Sequence, residues 1–476
     1  MGKRGQSAAM GSWIVGLLTL LLVTLSGSSP YRLGAKPVAV TNVSAADGAY
    51  KRPILGGVTV YRPAGTPRAV IILLSDKAGW SAQEQSLARR LRADGALVTG
   101  VSTTDFLRGL SGQKGCINPN YAIIDLARDI QHRLKLPIYM KPILLGRGQG
   151  GTLAYATLAA GPSGAYRAAL SAGFASFLPG HGQWCKSGTL HMIARRRQPM
   201  GWTLAPASSL PSPWIVASRP GDASLSSAYL KDANGGRSVD TVVGSDGDRR
   251  ISQLLAPFFN APTPMASLSV PSDMPLSIVT DPAAPRTDSM AILYSGDGGW
   301  VGLDRDVAAE LARRGIPVVG VDSLSYFWSA RTPGGAAADL APVIRAYSRQ
   351  WQRPHVMLLG YSFGADLLPH IVAHLPPDVR AQVKGMAMLG LSPSADFQFH
   401  LSSWLDMGDS YAYPTVPAIT RLRGLPMLCI RGQVEPDSAC PSIPQGVASI
   451  VTVPGGHHFD RNAALLAQQI VGRLPQ

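Results

Sequence analysis

One short segment constrains this 476-residue chain more than any other. The apolar run Val356–Leu359 ends at the segment Gly360–Gly364 (GYSFG), and a helix-like stretch from Ala365 to Leu375 follows. A Gly-x-Ser-x-Gly pattern between a strand and a helix is typical of a nucleophile elbow, a cramped turn that exposes one serine at the edge of a sheet. The alternative is a tight glycine turn with an inert serine. The strand–turn–helix context favours the elbow and predicts Ser362 as a nucleophile.

A serine nucleophile needs a histidine base and a carboxylate that orients the base, and in α/β-hydrolases the chain order is serine, acid, histidine. The apolar stretch Pro426–Ile430 predicts a late strand, and Glu435 and Asp437 follow it. A carboxylate just past a late strand is where the acid belongs. Either residue fits this position, and the alternative for both is a solvated loop acid.

The general base is expected in the glycine-rich loop after the last strand. The stretch Ile450–Val453 predicts that strand, and the loop after it carries His457 and His458. We favour His458 as the base, because the residue before Phe459 often has this role in related loops, and keep His457 as the second candidate.

An oxyanion hole needs the N–H that follows the nucleophile and a second donor from the loop after an early strand. The first donor would be Phe363. The second maps to the glycine-rich loop after the strand-like Ala291–Tyr294, which contains Asp297 and Gly298 and whose amides can approach a ligand closely. Asp297 is interpreted either as a ligand for a cationic substrate group or as a turn former that caps its own backbone.

The chain contains the same pattern twice. The segment Ile72–Trp80 matches Leu293–Trp300, and in both copies a helix-like stretch ends at a glycine, Gly95 or Gly315, fifteen residues after its tryptophan. The later segment Ile143–Gly150 matches the elbow, but a glycine stands in place of the serine. The sequence therefore predicts one catalytic and one non-catalytic copy of the same domain.

The predicted fold class is α/β: two tandem α/β-hydrolase-like domains, each a mostly parallel sheet with flanking helices. The hydrophobic content of 46% is ample for two cores. We place a degenerate, non-catalytic domain at 45–262 and the catalytic domain at 270–476. Residues 263–289 are rich in proline, serine and threonine and are predicted to be the linker, unless Leu276–Val279 pairs as the first strand of the second domain.

The N-terminus predicts export. Lys3 and Arg4 precede an apolar run of thirteen residues, Trp13–Leu25, and small residues follow. This is the pattern of a signal peptide, placed at residues 1–29. The run is short for a membrane span and lacks a clean cleavage site, so an uncleaved N-terminal anchor is the alternative.

Four cysteines fit an oxidising compartment, and three pairings are open. The simplest arrangement is one bridge per domain, Cys116–Cys185 and Cys429–Cys440, and the alternative is free buried thiols. The second bridge would restrict the loop of the candidate acids. The sequence has no zinc-binding or nucleotide-binding motif, so we expect neither a metal nor another cofactor.

The net charge of +15 calls for an anionic partner or serves general solubility. No nucleic-acid motif is present, and an exported protein rarely meets nucleic acid. An anionic membrane surface is the better explanation, with the basic stretch His191–Gln198 of the first domain as a candidate contact for lipid headgroups.

Four segments carry a resemblance to a known family: Ser295–Trp300, Gly360–Asp366, Ala395–His400 and Gly455–Asp460. They resemble the AcvB/VirJ family of bacterial periplasmic virulence proteins over roughly residues 290–474, and the two-domain layout resembles the longer AcvB type. The resemblance implies an α/β-hydrolase fold, a periplasmic location and hydrolysis of lysyl-phosphatidylglycerol, an aminoacyl ester of an anionic membrane lipid. It places the family's serine on Ser362 and its histidine on the His457–His458 pair.

This substrate agrees with the residues. Ser362 would attack the lysyl carbonyl, and the two ammonium groups of the lysyl moiety call for acids near the pocket. Asp297, Asp366 and Asp396 are the candidates, although Asp366 also fits a helix first turn, where a negative charge is favoured. Two alternatives remain: a non-catalytic factor that supports type IV secretion through contacts with the secretion system, and a general serine esterase or lipase.

Overall fold

The computed structural model describes residues 48–113, 115–162, 164–185, 187, 189–207, 210–217, 229, 236–239, 247–259, 274–399 and 413–475. The predicted signal peptide and the first part of the predicted linker lie outside these residues. The described residues all belong to one compact unit.

The first part of this unit is built on a sheet with the strand order β1-β2-β4-β3-β5-β6-β10-β11. From β4 onward neighbouring strands are parallel, and β1 and β2 form an antiparallel hairpin at one edge. A second, small sheet has the order β7-β9-β8. The elements are β1 (Gly48–Arg52), β2 (Gly56–Tyr61), β3 (Ala69–Leu74), α1 (Ala82–Ala93), β4 (Ala96–Val101), α2 (Thr103–Ser111), α3 (Pro119–Arg133), β5 (Ile143–Arg147), α4 (Gln149–Ala160), β6 (Ala168–Ala172), β7 (Phe177–Pro179), β8 (Met192–Arg195), β9 (Gly201–Leu204), β10 (Trp214–Ala217), β11 (Gly236–Val239) and α5 (Gly247–Leu255).

The second part repeats this plan with the strand order β12-β14-β13-β15-β16-β19-β20, in which only the edge strand β12 is antiparallel to its neighbour. The stretch Leu276–Val279, interpreted from the sequence as linker or strand, forms β12. The elements are β12 (Leu276–Val279), β13 (Ser289–Tyr294), α6 (Leu303–Arg313), β14 (Val318–Val321), α7 (Ser323–Tyr326), α8 (Pro333–Trp351), β15 (His355–Tyr361), α9 (Phe363–Ala373), α10 (Pro377–Arg380), β16 (Val383–Leu389), β17 (Ser394–Ala395), β18 (Tyr413–Pro414), α11 (Thr415–Arg421), β19 (Met427–Gly432), β20 (Ser449–Val453) and α12 (Ala463–Val471).

Each sheet lies between two layers of helices, which explains why its central strands are apolar on both faces. All six residues of β3 and all six of β13 are buried. In the second domain one face of the sheet packs against α8 and α9, and the other against α6 and α12. The α/β fold class predicted from the sequence is therefore confirmed, and for brevity the two parts are called the first and the second domain.

The paired tryptophan–glycine motifs have a packing role. The Trp80 ring covers Gly100 on β4, where a side-chain carbon would lie 2.0 Å from Cη2 of the indole. Trp300 covers Gly320 on β14 in the same way, at 2.2 Å. Any side chain on either glycine would displace the tryptophan, so both copies use the same close contact to fix the loop after the first parallel strand.

Both predicted disulfides are present. Cys116–Cys185 lies in the first domain. Cys429, on β19, is bonded to Cys440 with the Cα atoms 5.7 Å apart. This bridge closes the loop that carries Glu435, so the acid loop is held at both ends.

The two domains are in contact through a small aromatic cluster. Trp328 of the second domain donates its indole N–H to the carbonyl oxygen of Leu136 in the first, at 2.7 Å. Tyr139, Leu324 and Phe399 complete the buried cluster around Trp328. Across the described residues, no helix is both long and apolar enough to cross a membrane.

Candidate active site

Ser362 lies in the turn between β15 and α9, at the carboxyl edge of the sheet where the strand order reverses. Sites in open α/β sheets form at such switch points. Its backbone has φ +51° and ψ −123°, the strained conformation of an elbow. The glycines on either side are required by contact: a side-chain carbon on Gly360 would lie 2.4 Å from the carbonyl oxygen of Gly364, and one on Gly364 would lie 2.3 Å from that of Tyr294. Ser362 itself remains partly exposed.

The side chains of Ser362, His457 and Glu435 form a hydrogen-bonded chain. Nε2 of His457 lies 2.8 Å from the Oγ of Ser362, and its Nδ1 is hydrogen-bonded to the Oε1 of Glu435. The other carboxylate oxygen, Oε2, accepts the backbone N–H of Gly432 at 2.8 Å. This is the arrangement of nucleophile, general base and orienting acid that acyl-transfer chemistry requires.

The preference for His458 as the base is wrong in this structure. Its Nδ1 lies 2.6 Å from the hydroxyl of Tyr361, and the residue is exposed. His457 reaches the serine because Gly390, with φ +66°, leaves room for its ring. A side-chain carbon on Gly390 would lie 2.8 Å from Cε1 of that imidazole.

Of the two candidate acids, the structure brings only Glu435 to the histidine. Asp437 lies in the same loop and is exposed. Burial alone would raise the pKa of Glu435, but the hydrogen bonds from His457 and from the Gly432 N–H outweigh it and hold that pKa below the ordinary value. The carboxylate therefore stays ionised and can stabilise an imidazolium on His457.

The first domain contains a degenerate copy of this site. Its backbone amides indicate where an oxyanion would bind. Gly148, the counterpart of Ser362, has φ +49° and ψ −115°, so the elbow persists without its nucleophile. The Oδ1 of Asp76 accepts the N–H of Gln149 at 2.9 Å and the N–H of Lys77 at 2.7 Å. A carboxylate oxygen thus occupies the place between the two amides that an oxyanion hole would use.

The equivalent amides in the second domain belong to Phe363 and Asp297. Phe363 is the first residue of α9, so its N–H has no acceptor within the helix and points toward the helix N-terminus. Gly296 stands where the first domain has Asp76, and a side-chain carbon there would lie 3.5 Å from the Cβ of Ser362. The absence of a side chain at Gly296 keeps this oxyanion hole open.

The first domain also lacks a base. The counterpart of His457 would follow β11, yet residues 192–354 contain no histidine. With Gly148 as the elbow residue and Asp76 in the anion position, the described part of the first domain has no serine hydrolase site.

The three acids predicted to bind ammonium groups differ in their surroundings. Asp297 is half-buried beside the site, and its carboxylate makes no hydrogen bond within the described part of the chain. Asp366 is buried and its Oδ1 accepts the N–H of Ser392 at 2.7 Å, so it braces a loop, and burial raises its pKa. Asp396 accepts the N–H of Gln398 at 3.1 Å and caps a turn. Of these three acids, Asp297 alone is placed to meet a ligand, and Gly298 beside it is half-buried.

One residue that supports the oxyanion loop was not predicted from the sequence. Asp304 is buried on α6, and its Oδ1 accepts the N–H of Gly296 at 3.3 Å, which fixes the oxyanion loop. Burial raises its pKa well above the usual value. In the first domain, the Oε1 of Glu84 accepts the N–H of Asp76 at 3.4 Å in the same way. The sequence does contain a signal for these two acids. In each copy an acidic residue stands nine positions after a serine, Glu84 after Ser75 and Asp304 after Ser295.

Among the described residues, no group of three or more His, Cys, Asp or Glu side chains is arranged to hold a metal ion. The arrangement built from Ser362, His457 and Glu435 is that of a serine hydrolase. It can attack a carbonyl carbon, hold the oxyanion between two amides and pass one proton through the imidazole.

Residues 288–476 match the family model described as bacterial virulence protein (VirJ). No curated protein matches the chain significantly in sequence. Among solved structures, the chain is similar to Est1E of Butyrivibrio proteoclasticus with ferulic acid bound, with 14% identity, a TM-score of 0.32 and coverage of 41% of this chain and 92% of that one. It is similar to a putative dienelactone hydrolase of Klebsiella pneumoniae, with 16% identity, a TM-score of 0.32 and coverage of 44% and 95%. A lidless α/β serine hydrolase of Xanthomonas campestris has 20% identity, a TM-score of 0.30 and coverage of 44% and 94%.

Proposed function

We propose, on the premise that residues 288–476 of this chain belong to the VirJ family of bacterial virulence proteins, that the protein cleaves the aminoacyl ester of lysyl-phosphatidylglycerol. The products are lysine and phosphatidylglycerol. The observation that carries the proposal is the chain of hydrogen bonds from Glu435 through His457 to Ser362. Beside it are the amide N–H groups of Phe363 and Asp297, which no carboxylate of the described residues accepts. This geometry suits an ester substrate.

The reaction follows from the positions of these atoms. The Oγ of Ser362 attacks the lysyl carbonyl carbon while Nε2 of His457 takes its proton. The N–H groups of Phe363 and Asp297 stabilise the oxyanion. The imidazolium then gives the proton to the glycerol oxygen of the leaving lipid, and a lysyl ester of Ser362 remains. Water attacks this ester, His457 again takes a proton and returns it to the serine, and lysine leaves.

The position of Asp297 supports the proposal that the acyl group of the substrate is lysyl. The carboxylate of this residue lies in the oxyanion loop, half-exposed and without a hydrogen bond in the described part of the chain. A carboxylate beside the reacting carbonyl would attract the α-ammonium group of an aminoacyl ester. An uncharged acyl chain would gain nothing from it.

Contact with the membrane is proposed through the small sheet of the first domain. Ile193 on β8 is 63% exposed and Met200 is 47% exposed. The exposed cations Arg195, Arg196 and Arg197 lie between them in sequence. Apolar side chains beside a cluster of cations suit an anionic bilayer, where each basic residue contributes about 1 kcal/mol. Vesicles with and without phosphatidylglycerol should separate this binding, and replacing the three arginines by glutamine should abolish it.

The proposed location is the periplasm. The two disulfides support an oxidising compartment, and the predicted signal peptide supports export. Reaching a lipid that faces this compartment requires no further transport step.

Expression together with a lysyl-phosphatidylglycerol synthase tests the proposal. Thin-layer chromatography should show lysyl lipid disappearing with the wild-type chain and persisting with Ser362→Ala. Lysyl lipid that persists with the wild-type chain would reject the substrate, and equal loss with both chains would reject the serine mechanism.

A further inference from the structure

The first domain lies directly against the oxyanion loop of the second. A side-chain carbon built on Gly298 would lie 3.9 Å from Nη2 of Arg128, which belongs to α3 of the first domain. Val301, just past the loop, packs against the hydrophobic core of the first domain. Lys141 and Asp322 form an ion pair across the same interface at 3.5 Å. The loop that bounds the reacting carbonyl is therefore part of an interdomain wall.

Among the described residues, Arg128 has no carboxylate partner. Its guanidinium lies 5.5 Å above the centre of the Phe399 ring and shares a side-chain hydrogen bond with the phenol of Tyr139. Its Nε is buried and has no hydrogen-bond partner, and no carboxylate among the described residues lies within ion-pair distance. Arg128 as a whole is half-buried, and a partly desolvated cation is stabilised by a neighbouring anion. This environment favours an anionic ligand at Arg128.

We propose that Arg128 binds the phosphodiester of the substrate and that the degenerate first domain supplies this part of the substrate site. This inference rests on the proposed function. In an aminoacyl ester of phosphatidylglycerol, a glycerol unit joins the acyl ester to the phosphate, so the two groups bind at neighbouring places. Asp297 directly precedes Gly298 in the chain, and Arg128 lies close to Gly298, so an anion for the ammonium and a cation for the phosphate are both present at this loop.

Guanidinium suits this task because its planar N–H groups match phosphate oxygens in pairs. Gly298 contributes too, since a side chain longer than one carbon at this position would reach Arg128. The first domain would thus have a function in substrate binding although it has no nucleophile of its own.

Two esters separate phosphate binding from a merely structural role of Arg128. One is a short-chain, water-soluble lysyl-phosphatidylglycerol, and the other is lysine methyl ester, which has no phosphate. In the full-length protein, Arg128→Gln should lower the ratio of kcat/KM for the first ester to that for the second by about 10- to 100-fold, mainly through KM, as loss of a charged hydrogen bond predicts. The control is Arg108→Gln, since Arg108 is an exposed first-domain arginine paired with Asp105. It should leave the ratio unchanged.

An equal fall for both esters, or an unchanged ratio, would overturn the assignment. If the wild-type protein fails to cleave the lysyl lipid, the proposed function fails, and Arg128 is tested separately. Glycerophosphoglycerol should then inhibit the hydrolysis of p-nitrophenyl acetate competitively, with an inhibition constant about 10- to 100-fold higher for Arg128→Gln. Inhibition that is absent, or equal in both proteins, would overturn the phosphate site in that case.

Discussion

Asp76 and Gly296 occupy equivalent positions in the two domains, and this one difference fills the oxyanion hole of the first and leaves that of the second open. Asp76 accepts the amide N–H groups of Lys77 and Gln149, the counterparts of Asp297 and Phe363. The first domain therefore shows an anion bound at the position where the second domain must stabilise one.

Gly296→Asp should consequently inactivate the second domain without unfolding it. The new carboxylate would take the N–H groups of Phe363 and Asp297, as Asp76 does with theirs, and losing oxyanion stabilisation costs about 100- to 1,000-fold in kcat. Hydrolysis of p-nitrophenyl acetate measures the loss. Gly65→Asp, at an exposed position with no neighbour within 4 Å, is the matched control and should retain full activity. Full activity of Gly296→Asp would show that the oxyanion lies elsewhere.

The two adjacent histidines should differ sharply in their effect on activity. His457→Ala removes the group 2.8 Å from the Oγ of Ser362 and should lower kcat by at least about 1,000-fold. His458→Ala removes only the contact with Tyr361 and should lower kcat by less than about 10-fold. Steady-state kinetics with the same ester measures both, and the reverse order would make His458 the base.

Gly390→Ala should displace the base rather than remove it. The added methyl group would lie 2.8 Å from Cε1 of His457, so the ring must move away from Ser362. Displacement by about 1 Å costs on the order of 100-fold in rate. Gly446→Ala is the matched control, because Gly446 also has a positive φ, +77°, but no neighbour within 4 Å. Equal activity of the two variants would contradict a positioning role of Gly390.

Stability should depend on pH through Glu435. The pKa of this carboxyl is lower in the folded protein than its ordinary value, so the folded state binds the proton less tightly than the unfolded chain. The stabilisation is fully present above the unfolded pKa of roughly 4.3 and is lost as the pH falls through the lowered folded pKa. Glu435→Gln lacks this titration.

Urea denaturation from pH 7 to pH 3 measures the effect. The free energy of unfolding of the wild type should exceed that of Glu435→Gln at pH 7, and the difference should shrink as the pH falls below about 4.3. A difference that stays constant over this range would show that the charge of Glu435 does not stabilise the fold.

The fold and the nucleophile could be predicted because their signals are local. An apolar run, two glycines and a helix-like stretch define the elbow at Ser362, and the repeated tryptophan–glycine spacing reveals the duplication. The two disulfides were predicted by assuming one bridge in each domain. Except for the pairing of Cys116 with Cys185, which are 69 residues apart, these patterns lie within short stretches of sequence.

The information that decides between His457 and His458 as the base does not lie in the sequence around them. It depends on Gly390, which is distant in sequence and makes room for only one of the two rings. The role of Asp366 likewise depends on Ser392, a partner on another loop. The interdomain contact joins Trp328 to Leu136 across 192 residues of chain, and no periodicity encodes such a pairing.

Covalent labelling shows whether Ser362 is an activated nucleophile. A fluorophosphonate reacts with serines activated by a neighbouring base, and mass spectrometry of the digested protein locates the adduct. We expect one adduct, on the peptide containing Ser362, formed by the wild type and by His458→Ala but not by His457→Ala. An unlabelled Ser362 in the folded wild-type protein, or equal labelling in His457→Ala, would contradict it.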